Sequence, residues 1–311
     1  MKYLYIYNYF APYEEDLCHA EFRRVFHTPF SSRYFFTDQD YDYTRSVFIK
    51  ERLTILHTAS SVEEIIQALE RDHLYYEDFK VIYYKNEITH QDYRESLAYA
   101  RALSDPIAGT TDMEHPKVVF ALTKFHDAYY FGLLERNMDW HKHEVKPHSY
   151  SHSLPLRVAR TALNIGLGDR QGLSVIDPCC GVGTVVLEGL SMGLDIIGSD
   201  INRYVSYQGR LNLEYFGYDP LRITRKDMHE ITQHYDLAIM DVPYGVYSNF
   251  SLEEQIDLVK AASSFCEELV VITHEKIDEG IRASGFTIMD QCVYKKSNFY
   301  RYLTYAKKVN Q

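Results

Sequence analysis

The stretch Leu173-Ser174-Val175-Ile176-Asp177-Pro178-Cys179-Cys180-Gly181-Val182-Gly183-Thr184 decides the fold. Its first four residues form a short apolar run suited to a buried strand, and Val185 to Leu190 read as the opening turns of a helix. Strand, glycine turn, helix is the arrangement in which main-chain N–H groups cradle a nucleotide-like ligand. A second strand, Ile196-Ile197-Gly198-Ser199-Asp200, ends in an acid 17 residues past Gly183, about where a carboxylate reaches ribose hydroxyls. A further apolar run, Leu237–Met240, leads into Asp241-Val242-Pro243-Tyr244-Gly245.

Outward from this stretch, Leu173–Ile176, Asp195–Gly198, Leu221–Thr224, Asp236–Met240 and Leu269–Thr273 are spaced for crossover helices. That rhythm predicts an α/β fold with an open, Rossmann-like sheet. Phe286–Met289 and Tyr300–Tyr305 predict a closing antiparallel pair, and Leu154 to about Ile165 a lead helix stopped by Gly166 and Gly168. The N-terminal half runs to another rhythm: Tyr3–Tyr9, Arg52–Thr58, Phe79–Tyr84, Val118–Leu122 and Ala128–Leu134 as strands, with Glu14–Phe26, Val62–Glu70 and Asp92–Leu103 as helices. This predicts a smaller α+β region of split βαβ type. The polar, histidine-rich segment near Pro147 divides the chain into 1–140, a linker 141–152, and 153–311.

A length of 311 residues suits about two domains. No apolar run approaches the roughly 20 residues of a membrane span, and the opening residues lack the apolar core of a signal peptide. The five cysteines (18, 179, 180, 266, 292) include no C-x-x-C pair, which predicts a reduced, cytoplasmic protein without a metal site. Cys179 and Cys180 read as small turn fillers, and His141, His143, His148 and His152 as a solvated segment brushing the substrate. The net charge is −11, with −7 in residues 1–150 and −4 in the remainder. Contact with a polyanion therefore falls to local clusters: Arg157 and Arg160, Lys295 and Lys296, and Arg301 with Lys307 and Lys308.

The acids and glycines form a set suited to S-adenosylmethionine. Asp177, Gly181, Gly183 and Thr184 face its methionine part, Asp200 the ribose, and Asp227 the adenine amine. The loop 241–245 suits an exocyclic amine as methyl acceptor. Such a nitrogen is a poor nucleophile because its lone pair is delocalised into the ring. Two acceptors binding its hydrogens, Asp241 and the Val242 carbonyl, would aim it at a methyl donor by orientation and charge placement. Pro243 shapes the turn, and Tyr244 would stack on the base, an interaction worth roughly 1–3 kcal/mol. Arg157 and Arg160, three apart on the lead helix, would share a face and hold substrate phosphate.

With DPCCGVGT at 177–184, SDIN at 199–202, DVPYG at 241–245 and SLPLRVARTALN at 153–164, the chain resembles the THUMP-domain tRNA guanosine-N2 methyltransferases. The resemblance implies a Rossmann-like catalytic domain that uses S-adenosylmethionine. It also implies an N-terminal RNA-gripping region with a ferredoxin-like unit related to THUMP domains, and methyl transfer to guanine N2 in tRNA. Where that family carries a first proline after the acid, this chain has Val242. Loops of this kind also present adenine-N6 and cytosine-N4 amines of DNA and the glutamine side chain, so those substrates stay open, as does an inactive cofactor-binding RNA-associated protein.

Overall fold

The computed structural model describes residues 1–138, 140–149, 153–243, 250–296 and 299–309. They form two units, which are not contiguous in sequence, unlike the single division expected at 141–152. The first comprises Met1–Asn8, Ser32–Tyr43 and Ile49–Met138; the second takes Tyr9–Ser31, Thr44–Phe48 and everything from residue 139 onward.

After strand β1 (Tyr3–Tyr7) the chain forms helix α1 (Glu15–Phe26), which belongs to the second unit. The first unit continues with β2 (Tyr34–Thr37), β3 (Ile49–Ala59), helix α2 (Val62–Asp72), β4 (Tyr75–Tyr83), helix α3 (Tyr93–Ser104), β5 (Ala108–Thr111), β6 (Val118–Phe125) and β7 (Ala128–Arg136). Its sheet order is β2-β1-β3-β7-β6-β4-β5. β3 and β4, joined by α2, are held apart by β7 and β6, which is the split βαβ arrangement the sequence predicts. Alternation along β6 covers both faces: Phe120 and Leu122 pack with Val62, Ile65 and Leu69 of α2, whereas Ala121 and Phe125 pack with Leu4, Ile6 and Leu53. Ser61 caps α2 by accepting from the Glu64 N–H at 3.2 Å, and Asp92 caps α3 by accepting from those of Arg94 and Glu95. The short edge strands β2 and β5 carry no alternation that the sequence reveals.

The second unit adds α4 (Leu156–Leu167), β8 (Ser174–Asp177), α5 (Thr184–Ser191), β9 (Asp195–Asp200), α6 (Arg203–Tyr215), β10 (Ile223–Arg225) and β11 (Tyr235–Asp241). It closes with α7 (Leu252–Ala262), β12 (Cys266–Thr273), α8 (Asp278–Ala283), β13 (Phe286–Lys296) and β14 (Phe299–Lys308). The sheet order is β10-β9-β8-β11-β12-β14-β13, parallel except for β14, which runs antiparallel to both β12 and β13. The sheet starts at the interior strand β8, works outward through β9 to β10, then returns to β8's other side with β11. Ligands of open α/β sheets bind at the carboxyl ends of the strands beside such a reversal. No described helix is long and apolar enough to cross a membrane.

Candidate cofactor and amine site

Asp177, Asp200 and Asp241 are the last residues of β8, β9 and β11, so parallel packing delivers three carboxylates to one end of the sheet. They line a cleft of about 610 Å³ together with Gly181, Thr184, Asp227 and Pro243. Tyr244 lies outside the described residues.

The turn between β8 and α5 is held from several sides. Asp200 Oδ2 accepts from the Gly181 N–H at 2.9 Å and its Oδ1 from the Asn202 N–H at 2.8 Å. Asn212 of α6 donates to the Val182 carbonyl at 2.9 Å. Gly181 has φ of 54° and Gly183 of 79°, both in the left-handed region that favours glycine. Their tasks differ from the expected pair. Gly181 faces the cleft, whereas a Cβ at Gly183 would come within 2.6 Å of Ile223 Cδ1. Gly183 therefore serves the close packing of α5 against β10 and α6. As N-cap of α5 it offers no side-chain acceptor, which leaves the first-turn N–H groups to other partners.

Burial drives the electrostatics. Asp177, only 2 % exposed, has its pKa held well above the usual carboxylate range by desolvation, and Asp241 and Asp200 push it further. Burial likewise raises Asp200, against the pull of its two backbone N–H partners. Asp241 is pushed up to about 7 by burial, with Arg301 pulling the other way. Asp241 Oδ1 is buried and has no hydrogen-bond partner among the described residues. A buried acceptor without a donor is costly unless a ligand supplies one.

Asp227 follows β10 at the cleft wall. Its Oδ1 accepts from the His229 N–H at 3.0 Å and stands 2.8 Å from His229 Nδ1, and these contacts lower its pKa. His229 Nε2 lies 3.0 Å from Asp257 Oδ2 of α7, and the two acids raise the imidazole's pKa. Sequence reasoning passed over His229, although Asp227-x-His229 ahead of an acid-bearing helix is the signal that could have found it. It also passed over Met228, Phe250 and Leu258, which supply apolar wall.

Four expectations need correction. Arg160 faces no phosphate: it is 5 % exposed, and its guanidinium donates to Glu188 Oε2 at 2.6 Å, Ser191 Oγ at 2.9 Å and the carbonyls of Arg45 and Thr44. Arg157 is spent on a two-pronged pair with Glu14 and lies 4.7 Å from the Trp140 ring centroid. An isolated helix reading could not foresee that α4 packs along α1, which brings Glu14 and Glu21 over its face. His143 is not solvated but 1 % exposed, with Nδ1 2.7 Å from Glu188 Oε1. Arg301 is buried rather than part of a surface cluster.

No protein-family model matches the chain. The tRNA (guanine(10)-N2)-dimethyltransferase of Methanothermobacter thermautotrophicus is 26% identical over 146 residues, 45% of this chain and 41% of that protein. The enzyme of the same name from Pyrococcus abyssi is 27% identical over 132 residues, 41% of this chain and 39% of that protein. The alignments thus span less than half of either relative. Among solved structures, TrmN from Thermus thermophilus matches with a TM-score of 0.51 at 16% identity, over 99% of this chain and 100% of that one. The fold is that of a Rossmann-like methyltransferase. The three strand-end acids and the glycine turn occupy the reversal point of the sheet, the place where open α/β folds hold ligands.

Proposed function

We propose that this chain transfers the methyl group of S-adenosylmethionine to the exocyclic N2 of a guanosine in tRNA. The unpartnered, buried Asp241 Oδ1 carries this reading, because it is an acceptor poised beside a glycine turn and lacks only a donor. The likeness to two proteins named tRNA (guanine(10)-N2)-dimethyltransferase supports guanine N2 as the amine.

The described residues fit the cofactor. An ammonium beside Asp177 would favour the ionised form of a carboxyl whose pKa burial and its acidic neighbours raise. The uncapped first turn of α5 suits the amino acid's carboxylate. Asp200, already oriented by two N–H groups, has lone pairs left for ribose hydroxyls, and Asp227, fixed by His229, for the adenine amine. When bound, S-adenosylmethionine supplies an electrophilic methyl on a sulfonium. Asp241 Oδ1 takes one N2 hydrogen and the Val242 carbonyl the other, which turns the nitrogen's out-of-plane direction toward the methyl position. An amine nitrogen that has gained a methyl group must shed one proton. Asp241, with a pKa of about 7, is matched to receive it.

The test is nucleoside mass spectrometry of unmodified tRNA transcripts incubated with the purified chain and cofactor. N2-methylguanosine is expected. Methyl groups found only on adenine N6 would sink the guanine reading.

A further inference from the structure

Helix α6 turns an aromatic face outward. Tyr204, Tyr207, Leu211 and Tyr215 recur at spacings of three, four and four, which places them in one stripe along the helix. Such a stripe ordinarily packs inward, yet Tyr204, Tyr207 and Tyr215 are 69%, 53% and 62% exposed. The inward side is taken instead by Ser206, Gly209, Asn212 and Leu213, all buried. Arg203 and Arg210 flank the stripe, and the Arg210 guanidinium lies 6.0 Å from the Tyr207 ring centroid.

Charge singles out the same region. From Ile201 to Lys226 the chain carries five basic residues (Arg203, Arg210, Arg222, Arg225 and Lys226) against two acidic ones (Glu214 and Asp219), although its overall net charge is −11; of the five, Arg222 is paired with Asp195 at 2.6 Å. The stripe also starts at the cleft, since Ile201, Asn202 and Val205 line it and Tyr204 lies among them in sequence.

We propose that this face of α6 is a stacking platform for single-stranded RNA next to the target nucleotide. The inference rests on the methylation of tRNA proposed above. A base that enters a cleft must leave its stack, and its neighbours are then unpaired at the rim. Unpaired bases stack on aromatic rings and guanidinium planes, and their phosphates seek arginine.

The experiment uses the full chain and an unmodified tRNA transcript. Tyr204→Ala with Tyr207→Ala should weaken tRNA affinity at least about tenfold, given what stacked rings contribute. Tyr204→Phe with Tyr207→Phe should restore it, and cofactor affinity should stay at the parental value in both. Arg203→Gln should reduce the slope of log affinity against log salt by about 0.7, one single-strand phosphate contact. A parent that methylates tRNA beside an alanine pair that binds it equally well overturns the platform alone. A parent that neither binds nor modifies tRNA overturns the methylation reading and the platform with it. Hydrogen exchange in which a second copy of the chain, but not tRNA, protects α6 also overturns the platform.

Discussion

In the first unit, Glu51 and Arg52 of β3 sit across from Arg136 and Glu135 of β7, and both pairs close as ion pairs at 2.9 and 2.8 Å. In the second, the acids ending β8, β9 and β11 close no ion pair among the described residues, and burial raises the pKa of all three. Both sheets have seven strands. The difference is where the charges fall. Cross-strand neighbours satisfy one another and contribute to register, whereas parallel strand ends gather carboxyl groups that close no ion pair among the described residues. The first arrangement serves the fold, and the second suits a positively charged or hydrogen-donating ligand.

Removing a charge should therefore cost stability where charges are matched and activity where they are not. The largest stability effect belongs to the deeply buried Glu188 of the second unit, which Arg160 and His143 share. Glu188→Ala strands Arg160 without its carboxylate, and loss of about 3–5 kcal/mol is expected in denaturant unfolding. An unchanged midpoint would show that water replaces the partner.

Asp241→Ala should next lower turnover by roughly 10²–10³, the effect of deleting one preorganised polar group, with cofactor affinity nearly intact. The pH dependence has a definite sign. The accepting carboxylate exists above its pKa of about 7, so turnover should rise with pH through that value. Stability should move the other way. A pKa raised from 3.8 favours the folded state at low pH, and that contribution is lost as pH climbs through about 7. Asp241→Asn should then gain thermal stability relative to the parent at pH 8 and show no such gain near pH 4. A melting difference independent of pH would mean that the carboxyl is not desolvated.

Asp200→Ala should weaken cofactor binding about ten- to hundredfold, since hydrogen bonds to charged groups are worth roughly 1.5–3 kcal/mol. Calorimetry reads this directly, and parental affinity would remove Asp200 from the ribose. The smallest effect belongs to the matched sheet. A double-mutant cycle on Arg52 and Glu135 should give a coupling of about 0.2–1 kcal/mol in stability, with turnover untouched. Lost turnover there would break the contrast between the two sheets.

Legibility in the sequence followed physical range. The strands around the glycine turn were readable because apolar runs, glycines and acids lie within a few residues of one another. The Asp177, Gly181, Asp200 and Asp241 cluster was readable for the same reason: each sits at a strand end, and parallel strands share one carboxyl edge. What escaped depends on partners far along the chain. Arg157 and Arg160 look like a surface pair until Glu14 and Glu188 arrive, 143 positions before and 28 positions after them respectively. Gly183 looks like a second ligand-facing glycine until Ile223 fills the space beside it. His229 is invisible as a strut until Asp257 comes round on α7.

The interleaving of the two units has a consequence for how this protein can be dissected. Helix α1 supplies Glu14 to Arg157, Arg23 to Asp290 at 2.8 Å, and Glu21 to Asn164 at 2.9 Å, and the short piece 44–48 supplies the carbonyls that receive Arg160. A cut at residue 139 would yield a fragment with the whole glycine turn and every strand-end acid, yet without Glu14 for Arg157 and without the Arg45 and Thr44 carbonyls that Arg160 uses beside Glu188 and Ser191. Modularity here is a property of contacts and not of sequence order: the half of the chain that carries the chemistry borrows its rigidity from residues that precede it by more than a hundred positions.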